Sequence, residues 1–121
     1  MATLSGHTSA IRASRVIGTD VKDNEGNVLG KIEDVVLDKT DNAVMFAVVG
    51  FGGVLGIGEK YHPLPWSALD YDEAEQAYVV PYTKEQLEAA PSDTINELTR
   101  DDGTLNRERA FDYYKVPRYW N

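Results

Sequence analysis

The sequence predicts a mainly β protein: a small antiparallel β-barrel with one short helix and a C-terminal aromatic extension. Three observations predict it. The apolar run Ala43-Val44-Met45-Phe46-Ala47-Val48-Val49 is too short for a helix. Its valines point instead to a strand buried on both faces or set in a closed barrel. Two turn-forming clusters, Asp23-Asn24-Glu25-Gly26-Asn27 and Asp38-Lys39-Thr40-Asp41-Asn42, precede and follow a second extended stretch, because Asn and Gly accept the backbone angles of tight hairpins. The glycine-dense stretch Gly50 to Gly58 supplies the sharp curvature that a small barrel needs at its corners.

In chain order, three segments are expected: a flexible start over residues 1–13, the barrel over 14–91 and an extension over 92–121. The start is small and polar and is expected to fray. An extended segment begins at Ser14 and runs to Val21. A strand returns from Val28 to about Leu37, and its alternation fails at Glu33-Asp34, where a β-bulge would reset the register. The apolar run follows. Glu59 to Pro65 reads as a short strand, with Pro63 and Pro65 limiting its ladder bonds. Trp66 to Leu69 makes a corner, and Ala77 to Tyr82 is the last strand. Thr83 caps a helix of about two turns, Lys84 to Ala90. Gln86 completes a capping box and Pro91 ends the helix. Ser92 to Asn106 is polar.

Composition narrows the function classes. There is no cysteine, so disulfides, thiolate metal sites and cysteine nucleophiles are excluded. The net charge is −8, and residues 20–91 carry five lysines against fourteen acids. A nucleic-acid module neutralises phosphates with Lys and Arg, and this acidic body argues against one. The start lacks the apolar core of a secretory signal, and the longest apolar run is far short of a membrane span. A soluble cytoplasmic protein without membrane insertion is expected.

The motifs that could carry chemistry read more simply as structure. A phosphate-binding Walker loop needs Gly-Lys-Ser/Thr opening a helix, whereas Gly58-Glu59-Lys60-Tyr61 opens a strand. The spacing Gly53-x-x-Gly56-x-Gly58 does not match the dinucleotide fingerprint either. With Gly26 at the sixth position of a calcium loop, the first and twelfth positions fall on Val21 and Ile32, which cannot ligate calcium. His62 could serve as a base or a lone metal ligand, but the only other histidine is His7 in the start, and a site needs several convergent groups. Glu33 and Asp34 face opposite sides of a regular strand, and only a bulge would place both outward. An enzyme using Glu33, Asp34 or His62 in a cleft is therefore the least supported class. Ser67 has no base nearby in sequence. Trp66 reads as a core residue at the closing corner, with ligand stacking the minor alternative. No catalytic residue, metal or cofactor is expected.

The ending is the chemically richest part. Five of the chain's twelve aromatics, Phe111, Tyr113, Tyr114, Tyr119 and Trp120, lie in its last eleven residues beside Arg107, Arg109 and Arg118. Tyr, Trp and Arg dominate protein–protein hot spots. Arg109, Phe111, Tyr113, Tyr114, Arg118, Tyr119 and Trp120 are therefore the candidate interaction residues. The alternative is that they pack on their own barrel and cover an open edge. A subunit swap would satisfy both.

Arg15-Val16-Ile17-Gly18-Thr19-Asp20-Val21, Gly26 and Leu29-Gly30-Lys31-Ile32-Glu33-Asp34, together with Gly52 to Lys60 and Pro65-Trp66-Ser67-Ala68-Leu69, resemble the opening, middle and closing motifs of the PRC-barrel family. The likeness runs from about Ser14 to Pro91. The family includes the cytoplasmic barrel of the photosynthetic reaction centre H subunit, the closing barrel of a ribosome-maturation factor and short stand-alone bacterial proteins. The ending Asp112 to Trp120 resembles the tail of stand-alone forms from proteobacteria. The H subunit's membrane helix and the maturation factor's N-terminal barrel have no counterpart in this sequence. The resemblance implies a non-enzymatic protein-binding or assembly module that acts on a protein partner or on itself as a homodimer or higher oligomer. A ribosome- or RNA-processing-associated factor is the alternative.

Overall fold

The computed structural model describes residues 10–51 and 60–120. A helical turn, α1 (Ala13–Val16), leads into β1 (Asp20–Lys22), β2 (Val28–Asp38), β3 (Ala43–Phe51) and β4 (His62–Leu64). A 3-10 turn (Trp66–Ala68) then precedes β5 (Asp70–Asp72) and β6 (Ala77–Val79). Three helices follow: α2 (Lys84–Glu88), α3 (Ile95–Leu98) and, after a kinked 3-10 turn (Arg100–Gly103), α4 (Thr104–Tyr114).

The centre is the β2–β3 hairpin. Its pairing is antiparallel and carries two register shifts. Between Ile32, opposite Val49, and Asp34, opposite Val48, the extra residue is Glu33. This is the bulge expected from the broken alternation, and it leaves both Glu33 and Asp34 exposed. Between Val36, opposite Phe46, and Leu37, opposite Val44, the extra residue is Met45 on β3. The second bulge lets Met45 join Phe46 and Val48 in one cluster with Leu98 of α3. Ala47 and Val49 face the main core with Val21, Ile32, Leu64, Val80, Leu87 and Tyr114. β3 is therefore buried on both faces, as its uniform apolar run requires. β2 and β3 approach so closely at one end that a Cβ on Gly30 would overlap the Gly50 carbonyl. Only glycine fits there.

The strand order is β4-β3-β2-β1-β6-β5. The sheet is mixed rather than wholly antiparallel, because β1 and β6 run parallel, with Val21 opposite Tyr78. β4 and β5 lie at opposite ends of this order, and no ladder joins them among the described residues. Among the described residues the expected barrel is a six-stranded mixed sheet with β4 and β5 as its two edges. The Trp66 corner is the 3-10 turn, and Trp66 packs against the main core 5.5 Å from the Tyr78 ring. The expected corner glycines Gly52 to Gly58 lie outside the described residues, as does His7.

Three local expectations need correction. The segment from Ser14 is not continuously extended. It begins as α1, turns at Gly18 (φ 92°) and forms only three residues of strand. The Thr19 hydroxyl donates to the Arg15 carbonyl at 2.7 Å and ties that turn together. Asp70 to Asp72, read as the approach to a turn, is a strand of its own. The single helix expected at Thr83 is present with both halves of its capping box, Gln86 N–H to Thr83 and Thr83 N–H to Gln86. It is followed, however, by α3 within the stretch read as polar and by the eleven-residue α4, which starts at the end of that stretch and runs into the aromatic ending. The buried face of α4 consists of Asn106, Ala110, Phe111 and Tyr114. Two of these four are an amide and a methyl, so a search for an apolar stripe passes over the helix.

Candidate functional site: the C-terminal aromatic and arginine cluster

The seven candidate residues separate into three groups. Phe111 and Tyr114 are buried. They are part of the core rather than of a surface. Tyr114 packs on Tyr82 at 4.7 Å, and burial holds its hydroxyl proton on well above the ordinary tyrosine range. That hydroxyl has no hydrogen-bond partner among the described residues.

Arg118, Tyr119 and Trp120 fold back on their own chain. The C-terminus of α4 closes with Lys115 in the left-handed region (φ 56°, ψ 43°). The Lys115 N–H donates to Asp112 and the Val116 N–H to Phe111 at 3.0 Å. These are the two bonds of a Schellman closure, followed by Pro117, which cannot continue the helix. The reversal brings Trp120 edge-on to Phe111 at 4.7 Å and Tyr119 to within 5.8 Å of the same ring. Arg107 stacks its guanidinium on Trp120 at 3.9 Å. Arg118 reaches back to Glu108 (3.4 Å) and Asp112 (3.1 Å). These two pairs are exposed and stabilise the tail only slightly.

The anchor of the tail is Asp38, at the end of β2. Its Oδ1 accepts from the N–H groups of Thr40 and Asp41 and so shapes the hairpin turn. Its Oδ2 accepts from the Tyr119 hydroxyl at 2.7 Å and from Arg107 at 2.9 Å. The hydrogen bond from Tyr119 is the main cause that holds the Asp38 carboxyl below its usual range, with the turn N–H groups and the Arg107 charge adding to it against desolvation. Asp38 is the residue that the sequence reading missed, and Arg107, noted beside the aromatics, stands outside its candidate interaction residues. Asp38 carries an ordinary turn signal, and nothing local reveals that its second oxygen serves a partner far along the chain.

Arg109 and Tyr113 form the third group. Tyr113 is 38 % exposed and Leu105 54 %. With Arg109 they lie at four-residue intervals on α4 and share its outward side. The Tyr113 hydroxyl donates to the Gln86 carbonyl at 2.6 Å, which fixes the ring against α2. Arg109 is exposed and has no acidic partner among the described residues. A fixed aromatic, an aliphatic residue and an unpaired cation on one helix face suit protein recognition more than chemistry.

His62 lies elsewhere, in β4, with its ring 4.9 Å from Phe51. It is 8 % exposed. Burial lowers its pKa, opposed by a hydrogen bond to the Pro91 carbonyl, and its Nδ1 has no partner among the described residues. Glu33 and Asp34 stand exposed at the bulge of β2, whereas His62 is buried, and Asp34 accepts from the neighbouring Val35 N–H at 2.7 Å. Among the described residues no group of three or more His, Asp or Glu is placed to hold a metal ion. No helix among them is long and apolar enough to cross a membrane.

The fold and the motifs on β1, β2 and the Trp66 corner agree with a family-level match: the PRC-barrel domain model covers residues 9–87. The chain belongs to the PRC-barrel domain family. No curated protein matches the chain. The PRC-barrel match ends within α2, so α3, α4 and the docked tail lie beyond it. This PRC-barrel chain thus carries its aromatic cluster on a segment outside the span that defines the family.

Proposed function

We propose that this protein is a non-enzymatic binding module of the PRC-barrel type that acts in the cytoplasm and engages a protein partner through the outward face of α4. The observation that carries the reading is the alignment of Leu105, Arg109 and Tyr113 on one side of a helix that is fixed at both of its flanks. The other aromatic candidates are engaged within the chain, so this face is what remains of the predicted interaction residues. Its helix is braced by Asp38 through Arg107 and by Gln86 through Tyr113. Bracing of this kind lowers the ordering cost of binding.

The test is capture from extracts of the native organism by the immobilised intact chain and by a Leu105→Ala/Arg109→Ala/Tyr113→Ala variant with an unchanged circular dichroism spectrum. The reading predicts a partner held by the intact chain and lost by the variant. A partner retained equally by both contradicts it.

A further inference from the structure

The tail occupies a socket that β2 and α4 build. Val116 packs against the main core, and the Tyr119 hydroxyl donates to Asp38 Oδ2 at 2.7 Å. Trp120 meets the Phe111 ring at 4.7 Å and the Arg107 guanidinium at 3.9 Å, and Arg118 pairs with Glu108 and Asp112. Each of these partners precedes Lys115 in the chain. The socket is held by its own contacts, since Arg107 binds Asp38 at 2.9 Å and Phe111 lies on the buried face of α4.

One residue joins the tail to this socket. Lys115, at φ 56° and ψ 43°, turns the chain back along α4. A side chain is strained at these angles, and helix closures of this kind usually place glycine there. A short strained hinge invites exchange of the segment beyond it between copies. Pro117 keeps the preceding residue out of the helical region, so an opened hinge runs on as extended chain. Opening lifts the strain at Lys115. It preserves the tail's contacts when the socket that is filled belongs to a neighbour.

We propose that two copies of this chain exchange Val116 to Trp120 and form a two-fold dimer. Tyr119 of each copy bonds Asp38 of the other, and Trp120 of each stacks on the other's Arg107. Lys115 alone crosses between the copies. Tyr114 of one and the site that receives its Val116 on the other therefore lie within about 7 Å, and the C-terminal ends of the two α4 helices abut. The exchange is reciprocal and closes on itself. Within one chain the tail competes at an effective concentration on the order of 1 mM, which the hinge strain lowers severalfold. Dimer is thus expected to form at about 0.1–1 mM. The inference does not rest on the binding role assigned above, and the dimer carries two outward α4 faces on one particle.

Sedimentation of the intact chain, Lys115→Gly and Lys115→Val tests the hinge. Glycine relaxes the closed form and is expected to lower the dimerisation constant about tenfold, since two hinges contribute. Valine tolerates a positive φ poorly and is expected to raise it by about the same factor. Complementation tests the exchange itself. Asp38→Asn impairs the socket and keeps the tail, whereas Tyr119→Phe/Trp120→Ala impairs the tail and keeps the socket. Each alone is expected to stay monomeric, and their one-to-one mixture to form a heterodimer, because the sound tail of the first enters the sound socket of the second. That recovery separates exchange from simple misfolding. An intact chain that is monomeric at about 1 mM, a dimerisation constant that does not move in opposite directions for glycine and valine, or a mixture as monomeric as its components would each overturn the proposal. None of these outcomes bears on capture through Leu105, Arg109 and Tyr113, so the binding role stands or fails separately.

Discussion

The Tyr119 hydroxyl donates a 2.7 Å hydrogen bond to Oδ2 of Asp38, joining the end of β2 to a residue 81 positions later. Through this bond the C-terminal segment becomes part of the fold. The same oxygen receives Arg107, and both members of that ion pair are largely buried. Removing one partner of such a pair leaves the other charge uncompensated. Asp38→Ala is therefore expected to cost about 3–5 kcal/mol, and Tyr119→Phe about 1.5–3 kcal/mol. Urea unfolding of both single variants and the double variant measures the coupling. Full additivity would show that the tail is not anchored at Asp38.

Acid sensitivity follows from the same carboxylate. Its folded pKa is depressed, so its contribution is complete above the unfolded value of about 3.9 and is lost as pH falls through the folded value. The intact chain should lose this stability only below about pH 4. Asp38→Asn should flatten that part of the stability profile, measured by denaturant midpoint against pH.

His62 acts in a different window. Burial lowers its folded pKa, so the unfolded chain takes up the proton first. Stability is full above about pH 6.5, falls as pH drops below that value, and levels off beneath the folded pKa. His62→Phe should remove this decline between neutral pH and the acid limb of Asp38. An unchanged profile would mean that the imidazole is solvated.

Gly103 is the N-terminal cap of α4, with φ 73°, and a Cβ there would stand 2.8 Å from the Met45 sulfur. Gly103→Ala should destabilise by about 1–3 kcal/mol from strain and crowding together. Gly26 also has a positive φ but open space around it, so Gly26→Ala should cost less. Thermal unfolding of the two variants separates crowding from backbone strain.

Lys115 holds a left-handed angle without being glycine. Lys115→Gly should raise stability by about 0.5–1 kcal/mol, because the side chain's steric penalty is lifted while the unfolded chain gains some freedom. A loss of stability would show that the Lys115 side chain makes a contact that outweighs its strain.

Much of the β2–β3 hairpin could be read from sequence, because its signals are local. Gly26 (φ 88°) makes the turn before β2, Glu33 breaks the alternation where the bulge lies, and Thr83 with Gln86 names its own helix start. The mixed sheet could not be read this way. β1 and β6 are three residues each and pair across more than fifty positions. α4 is hidden from a pattern search because Asn106 lies in the interior, where its side-chain N–H donates to the Glu97 carbonyl at 3.1 Å, so a buried position looks polar. The aromatic cluster was visible as composition. Its division into core (Phe111, Tyr114), docked tail (Tyr119, Trp120) and free face (Tyr113) depends on the Lys115 reversal, which carries no glycine to announce it.

Hydroxyl-radical footprinting of the chain with and without its bound partner tests the central claim most directly, because Tyr113 and Tyr119 are almost equally exposed at 38 % and 37 %. Tyr119 faces Asp38 and Arg107, and Tyr113 faces outward beside Arg109 and α2. Binding through α4 predicts that modification of Tyr113 and Leu105 falls severalfold in the complex while Tyr119 keeps its rate. Protection of Tyr119 with Tyr113 unchanged would contradict the account and place the working surface on the docked tail.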